Sequence, residues 1–151
     1  MIRPLHIVMP MAGAGSRFLK EGWTTPKPLI MLHGEPLFKH AISSVYIDEV
    51  PMKYSFIIRQ EHIDKYQIDQ QIKLFLPEAN IFSVLKTTRG AVETCLMAES
   101  KIADDDGIIV MDCDLEFRSK EFLHILEQIL SRSIEQVDGG ALVSFESNEP
   151  R

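Results

Sequence analysis

Cysteine is scarce in this chain. Cys95 and Cys113 are the only two among 151 residues, and their separation matches no metal-ligand spacing. A disulfide-stapled scaffold and a cysteine zinc site are therefore not indicated, and reduced thiols in a cytoplasmic protein are expected. No apolar stretch approaches the roughly 20 residues of a membrane span. Met1-Ile2-Arg3-Pro4 lacks the apolar core of a signal peptide. Positive charge is in short supply as well: the formal net charge is −6, which argues against non-specific binding to nucleic acid or to an anionic membrane. Repeats and low-complexity linkers are missing. His6, His33, His40, His62 and His124 show no ligand spacing and are expected to be structural or exposed. Neither a Ser-His-Asp nor a Cys-His arrangement is suggested.

The apolar share of 45% and charged share of 25% are ordinary for a soluble globular domain. One domain over residues 1–151 is the natural reading, long enough to bury a core. Strands and helices alternate along it. Leu5–Met9, Tyr54–Arg59, Ile81–Leu85, Gly107–Met111 and Ala141–Phe145 read as strands. Helical patterns cover Pro36–Val45, Ile63–Leu76, Ala91–Glu99 and Ser119–Ser131, the last with Phe122, Leu123, Leu126, Ile129 and Leu130 on one face. This order predicts an α/β fold: a Rossmann-like, three-layer, mostly parallel sheet with helices on both faces. Ligands of such sheets bind beyond the carboxyl ends of the strands.

At the end of the first strand stands a glycine-rich turn, Gly13-Ala14-Gly15-Ser16-Arg17, and ten residues after that arginine comes Pro26-Lys27-Pro28. Small residues let backbone N–H groups approach a phosphate chain, and Arg17 and Lys27 add two fixed positive charges. A P-loop is excluded because no lysine follows Gly15 at the required spacing. A dinucleotide fingerprint fails because Phe18 stands where its third glycine belongs.

Three pieces in this order, Ala12-Gly13-Ala14-Gly15-Ser16-Arg17, Pro26-Lys27-Pro28-Leu29 and Gly34-Glu35-Pro36-Leu37, resemble the signature of the sugar-phosphate nucleotidyltransferases, the nucleoside-diphosphate-sugar pyrophosphorylases and related enzymes. Pro10-Met11 departs from the family's usual Leu-Ala, so the floor under the base differs in shape. The resemblance implies a nucleotide-diphospho-sugar transferase type of fold. It also implies nucleotide contacts from Met11, Ala12, Gly13, Ala14, Gly15 and Ser16, with Arg17 and Lys27 as the catalytic cations.

Beyond the apolar strand 107–111 lies Asp112-Cys113-Asp114. Two carboxylates one residue apart at a strand end can ligate one hard cation, Mg²⁺ by preference. An isolated Asp-x-Asp reads more simply as a solvated loop; its place at the sheet edge opposite a phosphate turn favours the cation site. The resemblance puts a metal-binding aspartate here, and Asp114 fits it better than Asp112. Thr88, Gly90 and Ala91 precede a helix and, in related enzymes, such a turn lies against the nucleobase. Thr88 is also expected to cap that helix. Trp23 reads as a hydrophobic anchor in preference to a lid, and Asp104-Asp105-Asp106 as a solvated turn.

The implied reaction is Mg²⁺-dependent transfer of a nucleotidyl group from an NTP to a sugar 1-phosphate or similar phosphorylated small molecule, with release of pyrophosphate. Arg17 would hold the β- and γ-phosphates, Lys27 the α-phosphate. The biological setting implied is nucleotide-sugar supply for polysaccharide or capsule synthesis. Family members normally continue beyond this length into an acceptor-binding part, and a sheet left with an open edge favours self-association. Two other readings stay open: a glycosyltransferase holding an NDP-sugar on Asp112 and Asp114, and a non-catalytic nucleotide-binding module.

Overall fold

The computed structural model describes residues 2–13, 15, 18, 20–133, 135 and 140–144. Strand β1 (Leu5–Met11) reads Leu-His-Ile-Val-Met-Pro-Met, and every residue except Pro10 is buried. A near-continuous apolar run is what a parallel strand covered on both faces requires. Pro10 is tolerated inside it for a local reason. Even-numbered residues of β1 direct their backbone groups toward the strand that begins at Gly107, as the bond from Met111 N–H to the Val8 carbonyl shows. That strand's pairing ends at Val8↔Val110, where the next ladder bond would need the N–H that proline lacks, so the proline falls at the end of that ladder and not inside it.

A two-residue turn, His33-Gly34, joins the short antiparallel pair β2 (Met31–Leu32) and β3 (Glu35–Pro36). Both turn residues have positive φ, 50° and 85°, the conformation that tight hairpins need. Helix α1 (Leu37–Ser43) follows, then β4 (Met52–Arg59), α2 (Gln60–Tyr66), α3 (Ile68–Phe75), β5 (Asn80–Val84), α4 (Ala91–Leu96), β6 (Gly107–Val110) and α5 (Lys120–Ser131). The main sheet is entirely parallel in the order β5-β4-β1-β6. The α/β reading is therefore correct.

Helices lie on both faces, unequally. Ile7, Met9 and Met11 of β1 pack with Phe56 and Ile58 of β4 against α1 and α3 through Phe38, Ala41, Ile68 and Ile72. Leu126 and Leu130 of α5 meet Leu5 on the same side. Val8 and Ile57 face the other way, toward α4 and Ala98. Ser119 caps α5 by accepting from Phe122 N–H at 3.1 Å, worth about 1 kcal/mol.

Three sequence expectations need correcting. The single helix 63–76 is two helices, broken at Gln67, whose φ is 51°. Ile63 and Ile68, five residues apart, would sit about 140° from each other around one continuous helix. The break lets both reach the core. Residues 141–144 form no strand and are exposed, for alternation without a paired ladder is not enough; Phe145 lies outside the described residues. Asp106 is not in a solvated turn but buried, as described below. Among the described residues no helix is long and apolar enough to cross a membrane.

Candidate functional site

The carboxyl ends of β4, β1 and β6 open into a cleft of about 620 Å³. Its central wall is the exit of β1. Met11 is buried and forms part of the floor, and Gly13 and Gly15 line the cleft. Gly15 has φ +61° with nothing near the position of a β-carbon, so glycine here serves backbone conformation and leaves the surface open to a ligand. Ala12 is buried on the α4 side and does not line the cleft. Ala14, Ser16 and Arg17 lie outside the described residues.

Lys27 is presented by a 3₁₀ turn, Lys27–Leu29, which Pro26 leads into with extended backbone. Pro28 and Leu29 are buried beneath it, Leu29 within the core that contains Phe38. The apolar residues of Pro-Lys-Pro-Leu thus fix the turn and leave the ammonium in the cleft. Its Nζ lies 2.5 Å from Asp114 Oδ2, both side chains about one-third exposed, and 5.5 Å from the centre of the Phe18 ring.

Past β6, side chains alternate. Met111 and Cys113 turn into the core, while Asp112 and Asp114 are exposed and line the cleft. Burial pushes the Cys113 thiol up to about 12, with Asp114 adding to the effect. The acidic loop is tied to α1 and to the residue that caps it: Phe117 N–H donates to Ser44 Oγ at 2.9 Å, and the Glu116 carboxylate lies 3.4 Å from His40 Nδ1. His40 Nε2 donates in turn to the Leu32 carbonyl at 2.8 Å. Leu32, His40 and Ser44, on the two sides of Gly34-Glu35-Pro36-Leu37, thus bracket the acidic loop. Among the described residues no three metal-ligating side chains converge.

Thr88, Gly90 and Ala91 follow β5 at the same sheet edge but do not line the cleft. Nor does Thr88 cap α4: the capping position is Gly90, without a side-chain bond. Thr88 Oγ1 is engaged with Thr94 Oγ1 at 2.6 Å instead. Trp23 is 48% exposed at the cleft rim, edge-on to Phe18 at 6.5 Å, and so is not a buried anchor.

One wall of the cleft carries no sequence motif. Arg59 closes β4, and Glu61, His62, Lys65 and Tyr66 follow on α2; all line the cleft. Tyr66 donates its hydroxyl to the Thr24 carbonyl at 2.5 Å, clasping the segment that leads to Lys27. Burial holds the His62 imidazole below its usual value, with the Arg59 charge acting the same way. The signal available in the sequence was position alone: residues just beyond a parallel strand's carboxyl end.

No family model matches the chain. Over 109 residues it is 31% identical to the 2-C-methyl-D-erythritol 4-phosphate cytidylyltransferase of Chromobacterium violaceum, taking in 70% of this chain and 44% of that protein. The nucleoside-diphosphate-sugar pyrophosphorylase of Vibrio cholerae RC9 superposes with a TM-score of 0.57 at 28% identity, over 77% of this chain and 51% of that one. The inositol-1-phosphate CTP transferase of T. maritima superposes with a TM-score of 0.62 at 16% identity, over 78% and 46%, a likeness of fold alone. The chain thus spans about half the length of these relatives. Its curated relative and structural neighbours are nucleotidyltransferases, in agreement with the motifs at residues 12–37.

Proposed function

We propose that the cleft binds a nucleoside triphosphate and supports transfer of its nucleotidyl group to a phosphorylated small molecule, by default a sugar 1-phosphate. The observation that carries this reading is the meeting of Lys27 and Asp114 at 2.5 Å in the cleft that Gly13 and Gly15 also line. One cation, one carboxylate pair and an open backbone turn are what a polyphosphate with a divalent cation asks of a protein.

The acceptor's phosphate oxygen attacks the α-phosphorus in line. A new P–O bond forms there while the bond to the β-phosphate breaks, and pyrophosphate leaves with the displaced charge. Protein groups do little covalent work in such a step, so positioning and charge stabilisation dominate. Lys27 neutralises charge at the α-phosphate. Backbone N–H groups of the glycine turn hold the polyphosphate, with Arg17 assigned to its β- and γ-phosphates. Asp112 and Asp114 suit a magnesium ion, which takes one or two carboxylates and completes its shell with water and substrate phosphates. Both are exposed hard-oxygen donors at the cleft. Bound there, the ion would neutralise phosphate charge and orient nucleophile and leaving group. Thr88, Gly90 and Ala91 are assigned to the base side of the nucleotide.

The test is product analysis with NTPs, Mg²⁺ and a set of sugar 1-phosphates. Stoichiometric pyrophosphate and NDP-sugar support the proposal. Release of NDP from an NDP-sugar, with no pyrophosphate from any NTP, replaces it with a glycosyltransferase. Nucleotide binding without turnover leaves a binding module.

A further inference from the structure

We infer that Arg59, His62 and Lys65 form a second anion subsite on the β4 side of the cleft, which takes a phosphate group separate from the one at the glycine turn. The inference deepens the nucleotidyltransferase reading and rests on it for the identity of the ligand, though not for the presence of an anion site. The register Met11↔Ile58 puts Arg59 beside the point where β1 opens into its turn. Its Nη2 donates to Glu61 Oε2 at 2.8 Å, which leaves other guanidinium N–H groups for a ligand. Lys65 stands over the Tyr66 ring, Nζ 5.0 Å from its centre, and among the described residues no carboxylate lies within ion-pairing distance of it. His62 lines the same wall, and its buried Nδ1 has no hydrogen-bond partner. An unsatisfied buried nitrogen in a native site calls for an explanation; a turn of the ring that brings it onto a ligand oxygen in the cleft supplies one.

The cleft is therefore polarised. Asp112 and Asp114 occupy the β6 side and the two cations Arg59 and Lys65, with the His62 ring, the β4 side, and the glycine turn lies between. A phosphate not chelated by a cation is repelled from the first wall and held by the second. Glu61 opposes this only weakly, for its side chain is 66% exposed and already paired with Arg59. Two sources supply such a group: the tail of the triphosphate and the phosphate of the acceptor.

Inorganic pyrophosphate, titrated calorimetrically without Mg²⁺, is the direct probe. The wild type binds it, and the Arg59→Gln/Lys65→Gln double variant binds it at least about tenfold more weakly, as expected for lost charge-assisted bonds. Arg59→Lys with Lys65→Arg restores much of the affinity at an unchanged melting midpoint, separating charge from folding. In the wild type the ¹⁵N resonances of the His62 ring move on titration. Parallel arms identify the source. Beside the loss of pyrophosphate affinity, a triphosphate tail makes the double variant lose nucleoside triphosphate but not monophosphate affinity; an acceptor phosphate makes it lose glucose 1-phosphate affinity and keep that for both nucleotides. Equal affinity of wild type and double variant for all these anions overturns the subsite, as does a wild type that binds none of them. A wild type that binds pyrophosphate on this wall but no nucleotide keeps the subsite and refutes the nucleotidyltransferase reading.

Discussion

Lys27 Nζ lies 2.5 Å from Asp114 Oδ2, although one residue follows β1 and the other β6. Parallel pairing of those strands brings their carboxyl ends together, and with them the two groups on which the proposed chemistry depends. Each is about one-third exposed, so the pair contributes at most about 1 kcal/mol to stability. Lys27→Ala and Asp114→Ala are accordingly expected to leave the melting midpoint nearly unchanged. Pyrophosphate release should fall by about 10²-fold or more in each, the scale of losing a charge-stabilising group. A stopped assay alongside a melting curve checks both halves, and near-wild-type turnover in either variant contradicts the assignment.

Tyr66 is a positioning residue in this account, since its hydroxyl holds Thr24 rather than a ligand. Tyr66→Phe is expected to weaken nucleoside triphosphate binding by about tenfold, the scale of one lost hydrogen bond, while thermal stability stays close to wild type. A titration at fixed temperature measures it. Unchanged affinity means that the segment before Lys27 is held by other contacts.

At the opposite end of the strands, Asp106 is buried and accepts from Lys53 Nζ at 2.7 Å and from His6 Nδ1–H at 3.3 Å, while Ser55 donates to His6 Nε2. Burial alone would raise the Asp106 carboxyl, but the bonds from Lys53, Ala103 N–H and His6 hold it below its ordinary 3.8. Burial likewise holds His6 below 6.5. For both groups the unfolded chain binds the proton at a higher pH than the folded one does. Stability from His6 is fully present above 6.5 and falls as the pH drops toward its folded value. That from Asp106 is present above 3.8 and is lost as the pH falls through its lowered folded value. Asp106→Asn should cost about 2 kcal/mol or more at neutral pH and flatten the acid limb of the stability curve. Nucleotide affinity should not change, because the network lies far from the cleft. Denaturant melts across the acid range test this.

The thiols should differ in reactivity, with Cys113 inert. Cys113, pushed up to about 12 by burial, carries almost no thiolate at pH 8; burial, with Asp112 adding to it, raises Cys95 as well. A disulfide reagent is expected to reach Cys113 only after denaturant is added, whereas the half-buried Cys95 reacts slowly in the native protein. Prompt titration of Cys113 in the native protein contradicts the burial described.

Much of the fold was legible because a parallel strand buried on both faces reads as an apolar run, and β1 is the clearest case; β6 is equally apolar but stands at the sheet edge with Ile108 and Val110 exposed. The break at Gln67 was not legible, since the periodicity of Ile63–Phe75 looks continuous until one asks which face each residue must reach. The site divided in the same way. Gly13, Gly15, Lys27, Asp112 and Asp114 stood out because spacing marks them, and the structure brings them to one cleft. Arg59, His62, Lys65 and Tyr66 form no motif; only the register of β4 beside β1 places them there. Asp106 looked solvated within its acidic run, and its burial depends on His6 and Lys53 from two other strands.

The central claim is that this cleft holds a nucleoside triphosphate. A melting panel of CTP, UTP, dTTP, GTP and ATP, each with and without Mg²⁺, tests it most directly. A nucleotide at a hundred times its Kd stabilises the folded state by about 2.7 kcal/mol, a shift easily seen. The account predicts that one nucleotide stands out, that Mg²⁺ strengthens its effect, and that Lys27→Ala abolishes it. No shift with any nucleotide, or an equal shift in Lys27→Ala, contradicts it.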